Sequence, residues 1–271
     1  MVIPRQPFRA APLSLAAACA AAWFLGAGFL RAAVPTLDHL HPVAVAAGST
    51  GIVTAIGKFD PWPPKAWVDD PRLTLTVQTN PGRLAVVVAA DAPPGPHLVR
   101  LHNGQGSSVP RLLLVTREPV LAESEPNDEF ARPQAVGECP VSVAGRLDKN
   151  NDVDSYAVTL AAGETLVASL QAFVLGSPVD AVLRVVDARG GTVAWNHDGA
   201  TLDPLVAWTA EVAGTYVVQV FGFVYPAQSE IRFTGNDRCV YRLRLDRGRP
   251  VRHLLPLGLA RGTREIGRAH V

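Results

Sequence analysis

The chain has 271 residues, of which 48% are hydrophobic and 18% are charged, and its formal net charge at pH 7 is +1. Its 25 basic residues are scattered, so the sequence lacks the basic patch that binds nucleic acid. Glycine and proline, 23 of each, cluster between segments rich in Val, Leu and Thr. This composition predicts an all-β protein, long enough for two domains with buried cores.

Residues 1–33 have the features of an export signal. Arg5 and Arg9 precede an almost uncharged run from Ala10 to Leu30, and small residues follow it. A charged start, an apolar middle and a small-residue end are typical of a secretory signal peptide. Because the run approaches the ~20 residues that span a bilayer, an uncleaved anchor is the alternative and would be the chain's membrane contact. The segment predicts export to the periplasm, the cell surface or the medium.

Residues 37 to 117 contain short apolar segments separated by turns. The segments are GIVTAIG, LTLTVQT, RLAVVVAA, HLVRLHN and RLLLVT. Strands with turns roughly every 8 to 12 residues are typical of a small β-sandwich. The placement of Pro42, Gly48 and Thr50, with the later PPGPHLVRLHNGQGSS, resembles the IPT/TIG domains of surface proteins. That resemblance implies an immunoglobulin-like β-sandwich.

Residues 118 to 122 are predicted as a linker to a second domain, residues 123 to 245. In TYVVQVFGF, alternation places Tyr216, Val218 and Val220 on one face of a strand. The segments ESEPNDEFARPQAV, VAGRLDKNNDVDSYAVTLAAGETLVASLQA, SPVDAVLRVVDARGGTVAWNHDG, DPLVAWTAEVAGTYVVQVFGF and CVYRLRL follow in this order. Their order resembles the bacterial pre-peptidase C-terminal (PPC) domain. The resemblance implies a β-sandwich of jelly-roll type, a module of secreted peptidases and other envelope proteins.

The predicted fold is therefore all-β, with two consecutive β-sandwich domains after an N-terminal apolar signal helix. The phrase HLLPLGLARGT near the end resembles HLHPVAVAAGST near the start, which predicts that residues 246–264 begin a further, truncated domain. The last seven residues, EIGRAHV, resemble a translated sequencing adapter. Residues 265–271 are accordingly left out of the fold prediction, and the chain is predicted to be a fragment.

The acidic stretch ESEPNDEF at residues 123 to 130 admits two interpretations. Glu125 precedes Pro126, which favours extended backbone. In extended backbone, Glu123, Glu125 and Asn127 project to one side, and Asp128 follows at a turn. From charge alone, a solvated acidic linker is the simpler interpretation. The alternation instead predicts a set of oxygen ligands for a cation.

A second acidic segment strengthens the interpretation as a site. Asp152 and Asp154 alternate just before a strand predicted to begin at Tyr156. Carboxylate and amide oxygens without histidine or thiolate favour Ca²⁺ over Mg²⁺ and disfavour zinc. In collagen-binding relatives of the PPC family, a Glu-x-Glu-x-Asn-Asp segment and downstream aspartates bind calcium. The resemblance implies a structural Ca²⁺ held by Glu123, Glu125, Asn127, Asp128, Asp152 and Asp154.

Two cysteines remain after removal of a signal segment. In an exported chain, an even number of cysteines suggests a disulfide, so Cys139 and Cys239 are a candidate pair. Two buried free thiols are the alternative.

Motifs of catalysis are missing from the sequence. HExxH, GxSxG, a Walker loop and paired CxxC do not occur, so neither catalytic residues nor an organic cofactor are predicted. Two aromatic groups offer candidate platforms for a glycan or peptide, although core packing is the commoner use. They are Phe59, Trp62 and Trp67, and Phe221, Phe223 and Tyr225.

The predicted function is that of a non-catalytic, exported bacterial envelope or extracellular protein with structural or adhesive modules. Its partner would be an extracellular protein or a glycan, and calcium would stabilise the second module. The alternative is the accessory region of a secreted peptidase whose catalytic domain lies outside this sequence.

Overall fold

The computed structural model describes residues 33–229, 231–250, 253–256, 260–264 and 268–270. These residues form strands and turns, with one short 3₁₀ helix at Phe173–Leu175, so the predicted all-β class is confirmed. The predicted signal segment lies outside the described residues except for Ala33. Within the described part of the chain, no helix has the length and apolar character needed to cross a membrane.

The first nine strands build a β-sandwich of two sheets. They are β1 (Thr36–His41), β2 (Ala44–Ala46), β3 (Thr50–Lys58), β4 (Lys65–Val68), β5 (Leu73–Val77), β6 (Arg83–Val88), β7 (Gly95–Asn103), β8 (Gly106–Ser107) and β9 (Arg111–Thr116). One sheet has the order β1-β3-β6-β5 and the other β2-β9-β7-β4, with β8 beside β7. Alternation assigns the faces, since Val53 and Ala55 are buried while Thr54 between them is exposed. Leu84 and Leu101, one from each sheet, are fully buried in the shared core.

The next ten strands build a second sandwich. They are β10 (Val120–Ala122), β11 (Gln134–Ala135), β12 (Val141–Arg146), β13 (Asp154–Leu160), β14 (Thr165–Gln171), β15 (Val179–Val186), β16 (Thr192–Asn196), β17 (Leu205–Thr209), β18 (Gly214–Val224) and β19 (Val240–Arg247). The sheet orders are β10-β12-β19-β14-β17 and β11-β13-β18-β15-β16. Tyr216, Val218 and Val220 all lie in the core between the sheets, as their alternation predicts.

Two predicted boundaries differ from the structure. Val120 pairs with Ser142 in a parallel ladder, so residues 120 to 122 of the predicted linker are a strand of the second sandwich. Strand β19 continues to Arg247, two residues beyond the predicted end of that domain. The predicted truncated domain and the predicted adapter segment fall partly outside the described residues, among which β20 (His253–Leu255) pairs with β21 (Arg268–His270).

The two sandwiches contact each other through an apolar cluster, and an ionic cluster lies at the junction between them. Val43 and Leu114 of the first sandwich pack with Val240 of the second. At the junction, one Glu118 oxygen accepts a hydrogen bond from Ser142 Oγ at 2.6 Å. The Glu118 carboxylate also pairs with the guanidinium groups of Arg242 and Arg244, and so binds the junction to the second sandwich.

Replacing Glu118 should destabilise the junction. Glu118→Ala leaves the largely buried Arg242 guanidinium without its anion. We expect a loss of about 2 kcal/mol in the free energy of unfolding, less than a fully buried pair because both side chains reach solvent. Guanidinium unfolding of the whole chain measures this. Glu129→Ala, which breaks the exposed pair with Arg132, is the control and should leave stability unchanged; equal effects of the two changes would contradict the argument.

Candidate metal centre

The acidic stretch crosses from one sheet of the second sandwich to the other. Strand β10 at its start pairs with β12, and β11 after it pairs with β13 in the opposite sheet. Within the crossing, the Ser155 amide donates to the Asn127 carbonyl oxygen at 3.1 Å. This contact holds the acidic stretch against the beginning of β13, where Asp154 is the first residue and Asp152 lies two residues before it.

Four carboxylates from the two acidic segments converge at this crossing. Oxygens of Glu125, Asp128, Asp152 and Asp154 lie within 4.8 Å of one another. Asp152 and Asp154 are fully buried. Oxygens bound to one calcium at 2.3–2.6 Å are separated by roughly 3–5 Å, so the spacing suits ligands of a single ion.

Buried oxygens without partners distinguish this cluster from a solvated acidic surface. Among the described residues, Oδ1 of Asn127, of Asp152 and of Asp154 have no hydrogen-bond donor. Burial of a polar atom is costly unless it is hydrogen-bonded or, for a charge, paired or bound to metal. Asn127 lies beside the cluster, because its backbone amide donates to Glu125 Oε2 at 2.9 Å and its Nδ2 donates to Glu123 Oε1 at 3.3 Å. The Asn127 and Asp154 oxygens have no partner and Asp152 Oδ1 has only an ion pair with Lys149, so a cation would satisfy all three.

Lys149 supplies a positive charge at the edge of the cluster. Its Nζ lies 2.9 Å from Asp128 Oδ2 and 3.1 Å from Asp152 Oδ1, the latter without the angles of a hydrogen bond. The hydrogen bond from Lys149 lowers the pKa of Asp128. One half-exposed ammonium leaves the orphaned oxygens of Asn127 and Asp154 unsatisfied, so Lys149 neutralises only part of the cluster.

Glu123 is not one of the four converging carboxylates, unlike the sequence prediction. Its Oε2 accepts from the Arg146 amide at 2.6 Å, and its Oε1 accepts from the Tyr156 hydroxyl at 3.2 Å. The Tyr156 and Tyr241 hydroxyls are 2.6 Å apart, and Tyr241 donates to Asp154 Oδ2. Glu123 and the two tyrosines therefore lie behind the cluster and orient Asn127 and Asp154. These tyrosines could not be predicted as part of the site, because aromatic residues in strands are usually core.

The electrostatics of the cluster favour protonation in the absence of a cation. Burial raises the pKa of Asp154 well above its ordinary value, and the nearby charge of Glu123 adds to the rise. Burial also raises the pKa of Glu123, Glu125 and Asp152. A bound divalent cation would favour the ionised carboxylates and reverse these shifts.

The predicted disulfide is wrong in the structure, where both cysteines are free. Strands β12 and β19 are antiparallel, with Val141 opposite Leu245 and Arg146 opposite Val240. Cys139 precedes β12 and Cys239 precedes β19, so the two lie at opposite ends of the ladder, roughly 25 Å apart at 3.3 Å per residue. A disulfide requires Cα atoms within about 7 Å.

The predicted aromatic platforms are only partly exposed. The Trp62 indole donates to the Gln78 carbonyl oxygen at 2.8 Å and packs edge-on against Phe59, both against the first core. Trp67 is exposed, and Phe221 is buried. The residues with exposed aromatic surface in the two predicted groups are Trp67, Phe223 and Tyr225.

Comparisons with known proteins give one sequence relative. No protein-family model matches the chain. A probable subtilase-type serine protease of Deinococcus radiodurans is 31% identical over 99 residues, which are 35% of this chain and 14% of that protein. The chain thus spans a small part of the curated relative's length.

Solved structures are similar at low sequence identity. The pre-peptidase C-terminal domain of a Bacillus anthracis collagenase is 12% identical, with a TM-score of 0.31, over 46% of this chain and all of that domain. PliG, a periplasmic lysozyme inhibitor of Aeromonas hydrophila, is 15% identical, with a TM-score of 0.31, over 48% of this chain and 99% of that chain. A Bacteroides ovatus protein, SGBP-B, is 8% identical, with a TM-score of 0.24, over 76% of this chain and 74% of that chain. At such identities and TM-scores these likenesses carry no argument about what the chain binds or does.

Proposed function

We propose that this chain belongs to an exported, non-catalytic protein of the bacterial envelope or exterior, with structural or adhesive work. Its first sandwich is immunoglobulin-like, and its second is a jelly roll of PPC type that binds a structural calcium. An extracellular protein or a glycan is the proposed partner. The observation that carries the proposal is the set of buried, unpartnered oxygens where the acidic stretch crosses between the sheets.

The donor set fits calcium. Glu125, Asp128, Asp152 and Asp154 supply carboxylate oxygens, and Asn127 supplies an amide oxygen. A Ca²⁺ ion takes six to eight oxygen ligands in flexible geometry, so waters at the exposed side would complete the shell. Mg²⁺ requires tighter octahedral geometry, and zinc prefers nitrogen or sulfur ligands.

The role of the ion is to fasten the crossing segment to the start of β13. The acidic stretch joins β10 of one sheet to β11 of the other, and an ion held by Glu125, Asp128 and the start of β13 would cross-link that edge. Binding to the folded state stabilises it in proportion to the calcium present, which suits a protein exported into a calcium-rich exterior.

Calorimetric titration at pH 7 tests the calcium assignment. We expect the whole chain to bind one equivalent of Ca²⁺. Asp152→Asn should weaken binding about tenfold or more, because the affinity of oxygen sites follows their number of charged ligands. Glu129→Gln, in the same acidic stretch but outside the cluster, should bind like the wild type. Absence of calcium binding by the wild type, or equal loss in both variants, would contradict the proposal.

The protease similarity favours a second candidate function. In this candidate, the segment shared with the probable subtilase-type protease is a non-catalytic module, and this chain is the accessory region of a secreted peptidase. Determining the full reading frame separates the candidates. Further β-sandwich modules beside these two support the first, and a hydrolase domain supports the second.

A further inference from the structure

We propose that Asp180, His197 and Asp198 form a second metal site, for a borderline divalent ion such as Zn²⁺. One potential ligand atom from each of the three lies within 4.8 Å of the other two. Asp180 is on β15, and Asp154 of the acidic cluster is on β13, on the other side of β18 in the same sheet. The two groups are therefore separate sites.

The topology places the three residues on one edge of the sheet. Strand β16 is the edge strand and pairs with β15, with Asn196 opposite Leu183. His197 and Asp198 directly follow β16, and they meet Asp180 near the beginning of β15. Asp180 lies between two core residues of its strand, so its side chain points to the outer face, away from the core.

Two unpartnered atoms face each other in this group. Asp180 Oδ1 and His197 Nε2 are 3.2 Å apart, yet both are buried atoms without a hydrogen bond among the described residues. A direct hydrogen bond would satisfy both, but the angles do not allow one. Two ligand atoms at 2.0–2.1 Å from a tetrahedral zinc are separated by roughly 3.3 Å. The observed separation therefore matches two ligands of one ion as well as it matches an ion pair, and the missing hydrogen bond favours the ligands.

The loop that carries His197 and Asp198 is held in place without a metal. Asn196 Oδ1 accepts a hydrogen bond from the Leu205 amide at 3.0 Å. The Gly199 amide donates to the Asp203 carbonyl oxygen, and a Cβ at Gly199 would lie 2.6 Å from that oxygen. Metal binding would therefore need little further ordering of this loop, so little affinity would be lost to conformational entropy.

The donor chemistry differs from that of the acidic cluster. One imidazole nitrogen and two carboxylates suit zinc and related borderline ions, whereas calcium selects oxygen alone. Three protein ligands leave a coordination position for water or a group from solution, as in open zinc sites. Asp198 is the exposed member, so that position faces solvent, and the two sites would bind different ions.

A Co²⁺ titration of the whole chain tests this site, with excess calcium present to occupy the acidic cluster. Visible absorption reports Co²⁺ in the low-coordinate nitrogen and oxygen geometry of a zinc site, and Zn²⁺ should displace the signal. We expect one equivalent to bind. His197→Ala should abolish the signal, and Asp180→Asn should weaken binding about tenfold or more, at least the cost of losing an outer-shell partner. His102→Ala, on β7 of the first sandwich, is the matched control and should bind like the wild type.

Two results would overturn the proposal. Absence of a Co²⁺ signal in the wild type means that the Asp180–His197 contact is an ion pair only. An equal signal in His197→Ala places the metal elsewhere. If His197→Ala fails to fold, judged by circular dichroism, Asp198→Asn replaces it, because this side chain is exposed and its loss should not affect folding. An unchanged affinity in Asp198→Asn would then count against the site. Neither result bears on calcium binding at the acidic cluster.

Discussion

Chelation with excess EGTA is expected to lower the melting temperature of the second sandwich by about 10 °C. Calcium at a hundredfold above its dissociation constant adds about 2.7 kcal/mol to the folded state. For a domain of this size, 1 kcal/mol corresponds to about 4 °C. Differential scanning calorimetry in calcium and in EGTA measures the shift. An unchanged melting temperature would rule out a stabilising calcium.

Asp154→Asn should distinguish the loss of calcium binding from a general destabilisation of the core. Asp154 is fully buried, and burial, together with the nearby charge of Glu123, raises the pKa of its carboxyl group, so the ionised form is costly without a cation. Removing this charge should leave the melting temperature in EGTA equal to or above that of the wild type, while the gain on adding calcium disappears. Glu129→Gln should keep the full gain. A calcium-dependent shift that survives in Asp154→Asn would show that this carboxylate is not a ligand.

The strand pattern was readable from sequence because alternation is local. Val53 and Ala55 are buried on one face of β3, and Tyr216 and Val218 on one face of β18, as a period of two requires. The strand at the junction could not be predicted in this way. Residues 120 to 122 form a strand because Val120 pairs with Ser142, a non-local partner that the composition of residues 118 to 122 does not reveal.

The same distinction between local and non-local contacts applies to the candidate site. Extended backbone predicts that Glu125 and Asn127 project to one side; in the structure the Asn127 amide donates to Glu125 Oε2, and Asp152 and Asp154 of the second acidic segment converge with Glu125. Glu123 instead accepts hydrogen bonds from the Arg146 amide and from the Tyr156 hydroxyl. Only the tertiary structure brings these partners together. Tyr241 is separated from Asp154 by 87 positions, so local spacing could not connect them.

The cysteine pairing could not be predicted either, because the number of cysteines gives no information about the distance between them. An even pair in an exported chain is compatible with a disulfide. The antiparallel register of β12 and β19 nevertheless puts Cys139 and Cys239 at opposite ends of one ladder. Only the strand direction decides between the pair and two free thiols, and strand direction is a property of the folded sheet.

Gly145→Ala is expected to destabilise the second sandwich by about 3 kcal/mol, the upper range for overpacking a core. Gly145 lies opposite Tyr241 in the β12–β19 ladder. A Cβ there would be 2.4 Å from the Cζ and hydroxyl oxygen of Tyr241. Tyr241 is fully buried and hydrogen-bonded to Asp154, so it cannot move aside without leaving the carboxylate.

The same change should weaken calcium binding, because displacement of Tyr241 removes the donor that orients Asp154. Guanidinium unfolding and calcium titration of the variant measure the two effects. The matched control is Gly214→Ala in β18, where an added Cβ meets no atom within 4 Å and stability should change little. A Gly145→Ala protein as stable as Gly214→Ala would mean that the tyrosine pair can repack. A destabilised variant with unchanged calcium affinity would mean that Tyr241 supports the core but not the site.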